Sequence, residues 1–405
     1  MLRPATTASV FRNPRASCLG VLSQKATSPE FMLGHRFYVT QQRPPVVDLS
    51  PLQGLAEESR RNEVAREMYD ACSTWGAFYV TGHGVSTDLQ AQLVHAAQRF
   101  FALPLEERMA LHVKNGGLAW RGYMPMGGEG THGQVDVKDG LYLGPEHGLD
   151  HHRVKAKTPL YGPNQIPDVQ LPELRPTVQA YLDEMKRVGD LIMQAVSLSL
   201  GLNVDYMHQH FTSDPILLFR MFCYPSVAKQ MEEAKKQEGD DTTPWGIGEH
   251  SDYGLLTILK QQSAGLQFHS DEHGWVDVPP IDNTFVCNVG DLLDRITDGR
   301  FKSPKHRVRN IANHDRLAFP LFYDPSWDAE MKPLPLDHLP AVDENNKSRA
   351  ETRWERSAYR SLSGPYCNYL AKKVSKIFLA LPPSVANFEP ARGPSTRFNI
   401  SIHGS

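Results

Sequence analysis

The chain has 405 residues, of which 40% are hydrophobic and 22% are charged, and its formal net charge is −3. This length and composition are typical of a globular protein with a substantial core, and no apolar run is long enough to span a membrane. The small net charge provides no general attraction for nucleic acid or anionic membranes, so we expect neither as a partner.

The cysteines are scattered and form no C-x-x-C pair, which argues against a disulfide framework and against a thiolate zinc site. We predict free thiols in a reducing compartment. The five positions are Cys18, Cys72, Cys223, Cys287 and Cys367.

The first 29 residues contain no Asp or Glu and are rich in Ser, Thr and Ala. Their basic residues are Arg3, Arg12, Arg15 and Lys25. Such a segment is typical of a mitochondrial transit peptide, and HRFYVT (35–40) has the character of a processing site. We therefore predict that residues 1–40 target the protein to the mitochondrial matrix. The alternative is a disordered basic tail on a cytoplasmic protein.

Residues 45–210 alternate between short apolar stretches and segments whose apolar residues recur at helical spacing, which predicts an α+β region. The Gly- and Pro-rich part at 112–170 has the composition of long binding loops. The predicted strands are 46–52, 77–85 and 134–144. The predicted helices are 57–76, 87–101, 172–201 and 203–211.

In residues 215–325 the sequence pattern changes to short apolar stretches separated by turns. This spacing predicts an antiparallel sandwich or barrel, which we take as the catalytic core. Residues 326–405 then form a polar excursion that ends in a helix at 365–380. The seven predicted strands are 216–225, 254–261, 265–269, 275–280, 284–290, 306–311 and 316–324.

One combination of residues within this core has the composition of a metal site. His250 and Asp252 lie two positions apart, so an extended segment would point both side chains to the same side. His306, on a separate predicted strand, can complete a two-histidine, one-carboxylate triangle. Such a triangle leaves open positions on the metal and is typical of non-haem iron(II) oxygenases. Any single histidine among these would otherwise be interpreted as an ordinary core or surface residue.

Arg316 begins an otherwise apolar predicted strand, where a buried guanidinium would be costly without an anionic partner. We interpret it as a bidentate clamp for the far carboxylate of a chelated 2-oxo acid, with Tyr224 offering a hydroxyl to the same anion. The alternatives are a surface arginine and a tyrosine that only packs in the core.

Several ordered motifs resemble the isopenicillin N synthase-like branch of the iron(II)/2-oxoglutarate-dependent dioxygenases, over roughly residues 45–380. In the catalytic half, HSDYGLLTIL, NVGD, GRFKSPKHRV and RLAFPLF match the family's patterns in order. In the first half, VVDLS and WGAFYVTGHGV resemble its opening strand and its W-G-F-F-x-x-x-H-G-V motif. The resemblance implies an α+β, mainly β fold with a double-stranded β-helix core, a cupin-like jelly roll, flanked by helices.

The same resemblance implies that His250, Asp252 and His306 bind Fe(II), and that Arg316 and Tyr224 anchor 2-oxoglutarate. Ascorbate is a candidate further cofactor. This chain departs from the family where Ala318 replaces a serine, which removes one hydroxyl from the co-substrate carboxylate, a hydrogen bond of about 1.5–3 kcal/mol. Phe222 and Cys223 also replace the common Asn and Tyr.

The leading hypothesis is therefore an oxygenase that couples decarboxylation of 2-oxoglutarate and activation of O₂ to oxidation of a small polar metabolite, with hydroxylation as the default outcome. A second hypothesis is an iron-dependent oxidase that does not use 2-oxoglutarate, of the isopenicillin N synthase or aminocyclopropane-carboxylate oxidase type. A third is a catalytically silent barrel that binds or senses a ligand. The candidate substrate-pocket residues are Arg121, Tyr123, Lys138, Tyr142 and Phe322.

Overall fold

The structure is a computed structural model, and it describes residues 43–54, 57–131, 134–236, 245–355 and 357–371. The predicted transit peptide lies outside these residues, as does most of the helix predicted at 365–380, of which residues 366–371 are seen as helical. Within the described ranges, no helix has both the length and the apolar character required to cross a membrane.

The helices vary from single turns to one long central rod. They are α1 (Glu58–Thr74), α2 (Thr87–Ala102), α3 (Leu105–Ala110), α4 (His152–Lys155), α5 (Leu174–Ser199), α6 (Tyr206–His210), α7 (Val227–Lys236), α8 (Asp291–Ile296) and α9 (Glu344–Glu355).

The strands lie on both sides of α5 in the sequence. The first group is β1 (Val46–Asp48), β2 (Ala77–Thr81), β3 (Gly122–Met124), β4 (Gly130–Thr131), β5 (Gln134–Val135) and β6 (Asp139–Leu143). The second group is β7 (Pro215–Tyr224), β8 (Ile247–His250), β9 (Leu256–Gln261), β10 (Leu266–Ser270), β11 (Gly274–Asp277), β12 (Phe285–Val289), β13 (His306–Val308) and β14 (Arg316–Ser326).

Two sheets form the core. The large sheet has the order β1-β2-β12-β9-β14-β7-β6-β3, and the small sheet has the order β11-β10-β13-β8. β1 pairs with β2 in parallel, whereas the neighbouring strands in the rest of both sheets are antiparallel. The large sheet therefore joins strands from both halves of the chain, with β9, β14 and β7 near its centre.

Helix α5 covers one face of the large sheet. Its buried positions recur at helical spacing, and Tyr181 packs against Phe219 of β7 with ring centroids 5.4 Å apart. A Cβ at Gly189 would lie 2.2 Å from Cδ2 of Tyr323, so only glycine allows the helix to approach β14 this closely. The Tyr323 hydroxyl also donates a hydrogen bond to Asp190.

Side chains of β7 and β14 alternate between the two faces of the large sheet. Phe219 of β7 and Tyr323 of β14 contact α5. The residues that alternate with them along each strand therefore face away from α5. We call this second face, which is turned away from α5, the inner face. It carries Arg316, Ala318 and Phe322 of β14 and Arg220, Phe222 and Tyr224 of β7.

The predicted fold class is confirmed: the architecture is α+β, with a β-rich core and flanking helices. Each of the seven strands predicted after residue 215 corresponds to an observed strand. The stretch 46–52, predicted as a short strand that runs into a turn, is strand β1 followed by a 3₁₀ helix at Ser50–Leu52. The division of the chain into the regions 1–40, 45–210, 215–325 and 326–405 stays a prediction.

Candidate active site

The sheet register brings His250 and His306 together. His306 begins β13 and is paired directly with His250, the last residue of β8, so the centroids of the two rings are 4.1 Å apart. Asp252 lies beyond the end of β8 and not within an extended strand as expected. The turn that carries it is held by a hydrogen bond from the backbone N–H of Asp291 to the carbonyl of Asp252.

The three side chains converge on one point. Oδ1 of Asp252 lies 3.8 Å from Nε2 of His250 and 3.6 Å from Nε2 of His306. One ligand atom from each residue lies within 4.8 Å of the others. Among the described residues, these three form the group of His, Cys, Asp or Glu side chains whose spacing could hold a metal ion. Two imidazoles and one carboxylate on one triangular face suit a divalent transition metal with open coordination positions.

Backbone carbonyls orient both imidazoles. Nδ1 of His250 lies 2.8 Å from the carbonyl oxygen of Gly248, and Nδ1 of His306 lies 3.4 Å from that of Pro304. A proton on Nδ1 satisfies each carbonyl and leaves the lone pair of Nε2 directed at the metal position. Metal-binding histidines are commonly oriented in this way.

Two side chains of the large sheet determine which carboxylate oxygen of Asp252 is left to bind a metal. Thr257 of β9 and Asn288 of β12 both donate hydrogen bonds to Oδ2, at 2.5 and 2.8 Å. Oδ1 is thereby left to face the two histidines. Burial alone would raise the pKa of Asp252, but His306 and His250 hold it below its ordinary value. The carboxylate is therefore ionised and ready to bind a cation.

His250 is electrically neutral at physiological pH. Burial, and after it the charge of the neighbouring His306, lower its pKa to about 4 against the opposing effect of Asp252. Its side chain is nevertheless 24% exposed, whereas those of Asp252 and His306 are 6% and 9% exposed. The triad therefore opens toward solvent on the side of His250.

Arg316 and Tyr224 lie directly opposite each other on β14 and β7, and the guanidinium carbon is 5.0 Å from the centroid of the Tyr224 ring. Arg316 is 1% exposed. Its Nε donates to the carbonyls of Ser263 and Ala264, and its Nη2 donates to Oε1 of Gln261. Its Nη1 is buried and has no hydrogen-bond partner among the described residues.

The two departures from the family pattern line the same inner face. Ala318 is 2% exposed and lies opposite both Phe222 and Gln261. Phe222 packs edge-on against Tyr224, with ring centroids 6.1 Å apart. Burial raises the pKa of Tyr224 to about 12, so its hydroxyl keeps its proton and can donate it to an anion.

Three of the five candidate substrate-pocket residues lie on or against the inner face. Phe322 pairs with Thr257, the residue that contacts Asp252. Nζ of Lys138 lies 5.1 Å from the centroid of the Phe222 ring, and Tyr142 packs against the same ring at 6.1 Å. These contacts make all three neighbours of the proposed co-substrate and metal positions.

Arg121 and Tyr123 are placed elsewhere. The Arg121 guanidinium donates to Asn164 and to three carbonyls, those of Pro145, Leu160 and Gly162, so it ties loops together. Tyr123 lies opposite Leu141 on β6, one residue out of phase with Tyr142, and therefore points to the helix-covered face. Its hydroxyl accepts a hydrogen bond from Arg108. The structure does not bring either residue to the inner face.

The residues that support the site were not among those predicted from the sequence. Thr257 and Asn288 belong to the HSDYGLLTIL and NVGD motifs, so their place within those motifs was an available signal. Gln261 holds Arg316, and Glu129 and Asp136 are the ionic partners of Lys138. The contacts of these last three depend on strand register and loop packing, for which the sequence has no local signal.

Comparisons with known proteins agree with this site. Residues 44–169 match the family described as non-haem dioxygenase in morphine synthesis N-terminal, and residues 216–325 match the 2OG-Fe(II) oxygenase superfamily. A Dictyostelium discoideum protein named as a probable iron/ascorbate oxidoreductase is 37% identical, over 86% of this chain and 98% of its own length. A 1-aminocyclopropane-1-carboxylate oxidase of the same organism is 33% identical, over 82% of this chain and 95% of its own.

A solved structure shows the same fold. Full-length Neurospora crassa T7H in complex with alpha-KG aligns with 82% of this chain and 95% of that chain, at a TM-score of 0.64 and 24% identity. The two family matches cover both halves of the folded region, and the triad lies within the second. The chain therefore belongs to the 2OG-Fe(II) oxygenase superfamily, in its isopenicillin N synthase-like branch, and is an Fe(II)- and 2-oxoglutarate-dependent oxygenase.

Proposed function

We propose that this oxygenase hydroxylates a small polar metabolite, with Fe(II) held by His250, Asp252 and His306 and 2-oxoglutarate anchored by Arg316 and Tyr224. The co-substrate assignment rests on the burial and the hydrogen-bond partners of Arg316. Its guanidinium is buried, the partners of its Nε and Nη2 are neutral oxygens, and Nη1 has no partner among the described residues. A buried cation with an unmet donor fits a carboxylate.

The donor set of the triad likewise fits Fe(II), because two imidazoles and one ionised carboxylate suit this metal and leave positions for other ligands. When bound, iron with 2-oxoglutarate supplies the oxidising power that breaks a C–H bond. The overall reaction balances as R–H + O₂ + 2-oxoglutarate → R–OH + succinate + CO₂. One oxygen atom enters the product and the other enters succinate.

The protein's own part in this reaction is positioning. Thr257 and Asn288 hold Oδ2 of Asp252, so that Oδ1 and the Nε2 atoms of His250 and His306 face one point. Arg316 neutralises the far carboxylate of the co-substrate, while the protonated hydroxyl of Tyr224 donates to the same anion. Phe322, beside Thr257, bounds the space in which the substrate is placed.

Arg316→Ala tests the co-substrate assignment. We expect the dissociation constant of 2-oxoglutarate to rise roughly 10- to 100-fold, because a charge-assisted hydrogen bond contributes about 1.5–3 kcal/mol. The measurement is titration of the visible charge-transfer absorption of the anaerobic Fe(II) protein with 2-oxoglutarate. Arg295→Ala is the matched control, since Arg295 stacks on Trp354 and donates to a backbone carbonyl. Equal affinities in the two variants would refute the assignment.

A second candidate function, an oxidase that does not use 2-oxoglutarate, is favoured by two observations. The relative named as a 1-aminocyclopropane-1-carboxylate oxidase is 33% identical, and Ala318 lacks the hydroxyl that the family offers to 2-oxoglutarate. Substrate oxidation that is independent of 2-oxoglutarate would support this candidate. Oxidation with one succinate formed per product would exclude it.

We also propose that the protein acts in the mitochondrial matrix. The support is the basic, acid-free composition of the first 29 residues. A fluorescent reporter fused to residues 1–45 should enter mitochondria, and a diffuse cytosolic signal would refute the proposal.

A further inference from the structure

Arg220 is a buried cation on the inner face that has no role in holding the metal or the co-substrate. It shares the inner face of β7 with Phe222 and Tyr224, and it lies opposite Tyr142 of β6. The residue is 9% exposed. Its position follows from strand alternation, which sends every second residue of β7 to this face.

The groups that contact Arg220 directly are neutral, and the positive charge of Arg121 lies close enough to interact with it. The guanidinium carbon of Arg220 lies 4.0 Å from the centroid of the Tyr142 ring, and Nη1 donates to the carbonyl of Phe219 at 2.9 Å. It forms no ion pair with any described residue, although the charge of Glu129 acts on it from farther away. A buried guanidinium without a paired carboxylate is costly unless an anion arrives to pair with it. Arg220 therefore fits the carboxylate of a ligand.

Arg220 is also at a useful distance from the metal triad. Phe322 pairs with Thr257 on one side and with Leu218 on the other, so β9 and β7 are two strands apart. With neighbouring strands about 4.8 Å apart and about 3.3 Å of rise per residue, the backbone of Arg220 lies roughly 10–12 Å from that of Thr257. Thr257 contacts Asp252. A small molecule can therefore span from Arg220 to the metal position.

The carboxylate of Glu129 lies near the Arg220 guanidinium and pairs with Lys138. Nζ of Lys138 is 2.9 Å from Oε2 of Glu129 and 2.8 Å from Oδ2 of Asp136. The Glu129 side chain is 34% exposed, whereas those of Lys138 and Asp136 are 5% and 7% exposed, so Glu129 is the open member of this group. Burial alone would raise the pKa of Glu129, but Lys138 and the Tyr142 hydroxyl hold it below its ordinary value.

The segment that carries Glu129 lies against the strand of His250. The backbone N–H of Val137 donates to the carbonyl of Trp245, and Cγ2 of Thr131 would lie 3.5 Å from a Cβ at Gly248 of β8. Tyr142 contacts both Glu129 and Arg220. Glu129 and Arg220 are thus two opposite charges that contact the same tyrosine, next to the strand that ends at His250.

Among the four charged residues around Tyr142 and Phe222, the two positive charges of Arg220 and Lys138 are matched by the two negative charges of Glu129 and Asp136. Arg316 is assigned to the co-substrate, and Arg121 acts from outside this group. A substrate with a net charge would leave an uncompensated charge in a largely buried site. A zwitterion keeps the balance, because it offers a carboxylate to Arg220 and an ammonium group to Glu129.

We propose that the substrate is a small zwitterionic amino acid, whose carboxylate pairs with Arg220 and whose ammonium group pairs with Glu129. This proposal rests on the proposed oxygenase function and names its substrate class. One relative is named as a 1-aminocyclopropane-1-carboxylate oxidase, and the compound in that name has both an amino group and a carboxylate.

The first test is a substrate panel for the holoenzyme with Fe(II), 2-oxoglutarate and O₂. The panel contains the twenty common amino acids and 1-aminocyclopropane-1-carboxylate, each accompanied by the matched amine without the carboxylate and the matched acid without the ammonium group. The readout is succinate formed above the substrate-free rate.

We expect at least one zwitterion to raise this rate 10-fold or more, and both of its truncated analogues to lose most of the effect. Stimulation by amines or acids alone, or by no member of the panel, would overturn the proposal. The charge-transfer absorption of the anaerobic protein with 2-oxoglutarate reports separately on the proposed oxygenase function, so the two failures are distinguishable.

The second test uses variants with the stimulating amino acid. Arg220→Met should raise its KM roughly 100-fold, Arg220→Lys should raise it less, and the control Arg295→Met should leave it unchanged. Glu129→Gln should raise the KM of the zwitterion and not that of its matched acid. If Arg220→Met is poorly folded by circular dichroism, Arg220→Lys and Glu129→Gln decide the outcome. Variants of Arg220 and Glu129 that keep the wild-type KM would overturn the proposal.

Discussion

Asp252 connects the two sheets through the two oxygens of one carboxylate. Oδ1 faces His250 and His306 of the small sheet, and Oδ2 is held by Thr257 and Asn288 of the large sheet. A carboxylate fixed on one oxygen presents the other at a defined position, which reduces the reorganisation required when the metal binds.

Thr257→Val removes one of these two hydrogen bonds with little change in side-chain volume. We expect the affinity for Fe(II) to fall roughly 10- to 100-fold, as is typical when a partner of a metal ligand is removed. The measurement is anaerobic competition with a chelator of known affinity. Thr257→Ser, which keeps the hydroxyl, should bind iron nearly as the wild type does. If Val and Ser variants bind iron equally, the hydrogen bond has no such role.

Ala318→Ser restores a hydroxyl on the inner face beside Arg316. We expect 2-oxoglutarate to bind several-fold more tightly, because a serine hydroxyl can donate a hydrogen bond to its carboxylate. Such a charge-assisted hydrogen bond contributes about 1.5–3 kcal/mol, from which the cost of burying the hydroxyl is subtracted. Titration of the charge-transfer absorption measures the change. Ala318→Cys is a control of similar size with a weak donor. Equal affinity in the serine and cysteine variants would show that the hydroxyl does not reach the anion.

At the scale of elements, the turn before α8 supports the loop that carries Asp252. The backbone N–H groups of Gly290 and Asp291 donate to the carbonyls of Leu255 and Asp252, at 2.9 and 2.8 Å. A Cβ at Gly290 would lie 2.2 Å from the carbonyl oxygen of Gly254. The glycine of the NVGD motif is therefore required by a close approach between two backbone segments.

Gly290→Ala should separate these two segments, because a clash with backbone cannot be relieved by moving a side chain. We expect a loss of about 1–3 kcal/mol in unfolding free energy, as is typical of overpacking, together with weaker iron binding. Chemical denaturation and chelator competition measure the two effects. Gly54→Ala is the control, since a Cβ there meets nothing within 4 Å. Wild-type behaviour of Gly290→Ala would contradict the described contact.

At the scale of the whole molecule, the stability of the protein should depend on pH through a half-buried histidine, His147, that is neutral in the folded state. His147 packs against His151 and Tyr161, with ring centroids 4.7 and 4.8 Å away. Burial, and after it the positive charge of Arg121, lower its pKa from 6.5 to about 4. Between these values the unfolded chain binds a proton that the folded chain does not, so stability falls as pH falls.

His147→Phe keeps an aromatic ring at this position and removes the titration. We expect the wild type to lose roughly 1–3 kcal/mol more unfolding free energy than the variant between pH 7 and pH 4. Above pH 6.5 the difference between the two proteins should be constant, which is the internal control. The measurement is denaturant unfolding at a series of pH values, and parallel curves throughout would contradict the prediction.

The amino-acid sequence by itself predicted the longer elements and the family, and it indicated the three residues proposed as metal ligands. Hydrophobic periodicity is local, so it predicted α1, α2, α5 and seven of the eight strands from β7 to β14, β8 being the one it missed. The motifs around His250 and His306 are local as well.

Only the tertiary structure decided which side chains meet. Strand register directs Tyr142 and Arg220 to the inner face and turns Tyr123 to the opposite one, because a shift of one residue reverses the face. Likewise, the pairing of Phe322 with Thr257 depends on contacts between distant parts of the chain. The charges proposed to select the substrate are therefore a property of the assembled sheets, which no short stretch of sequence encodes.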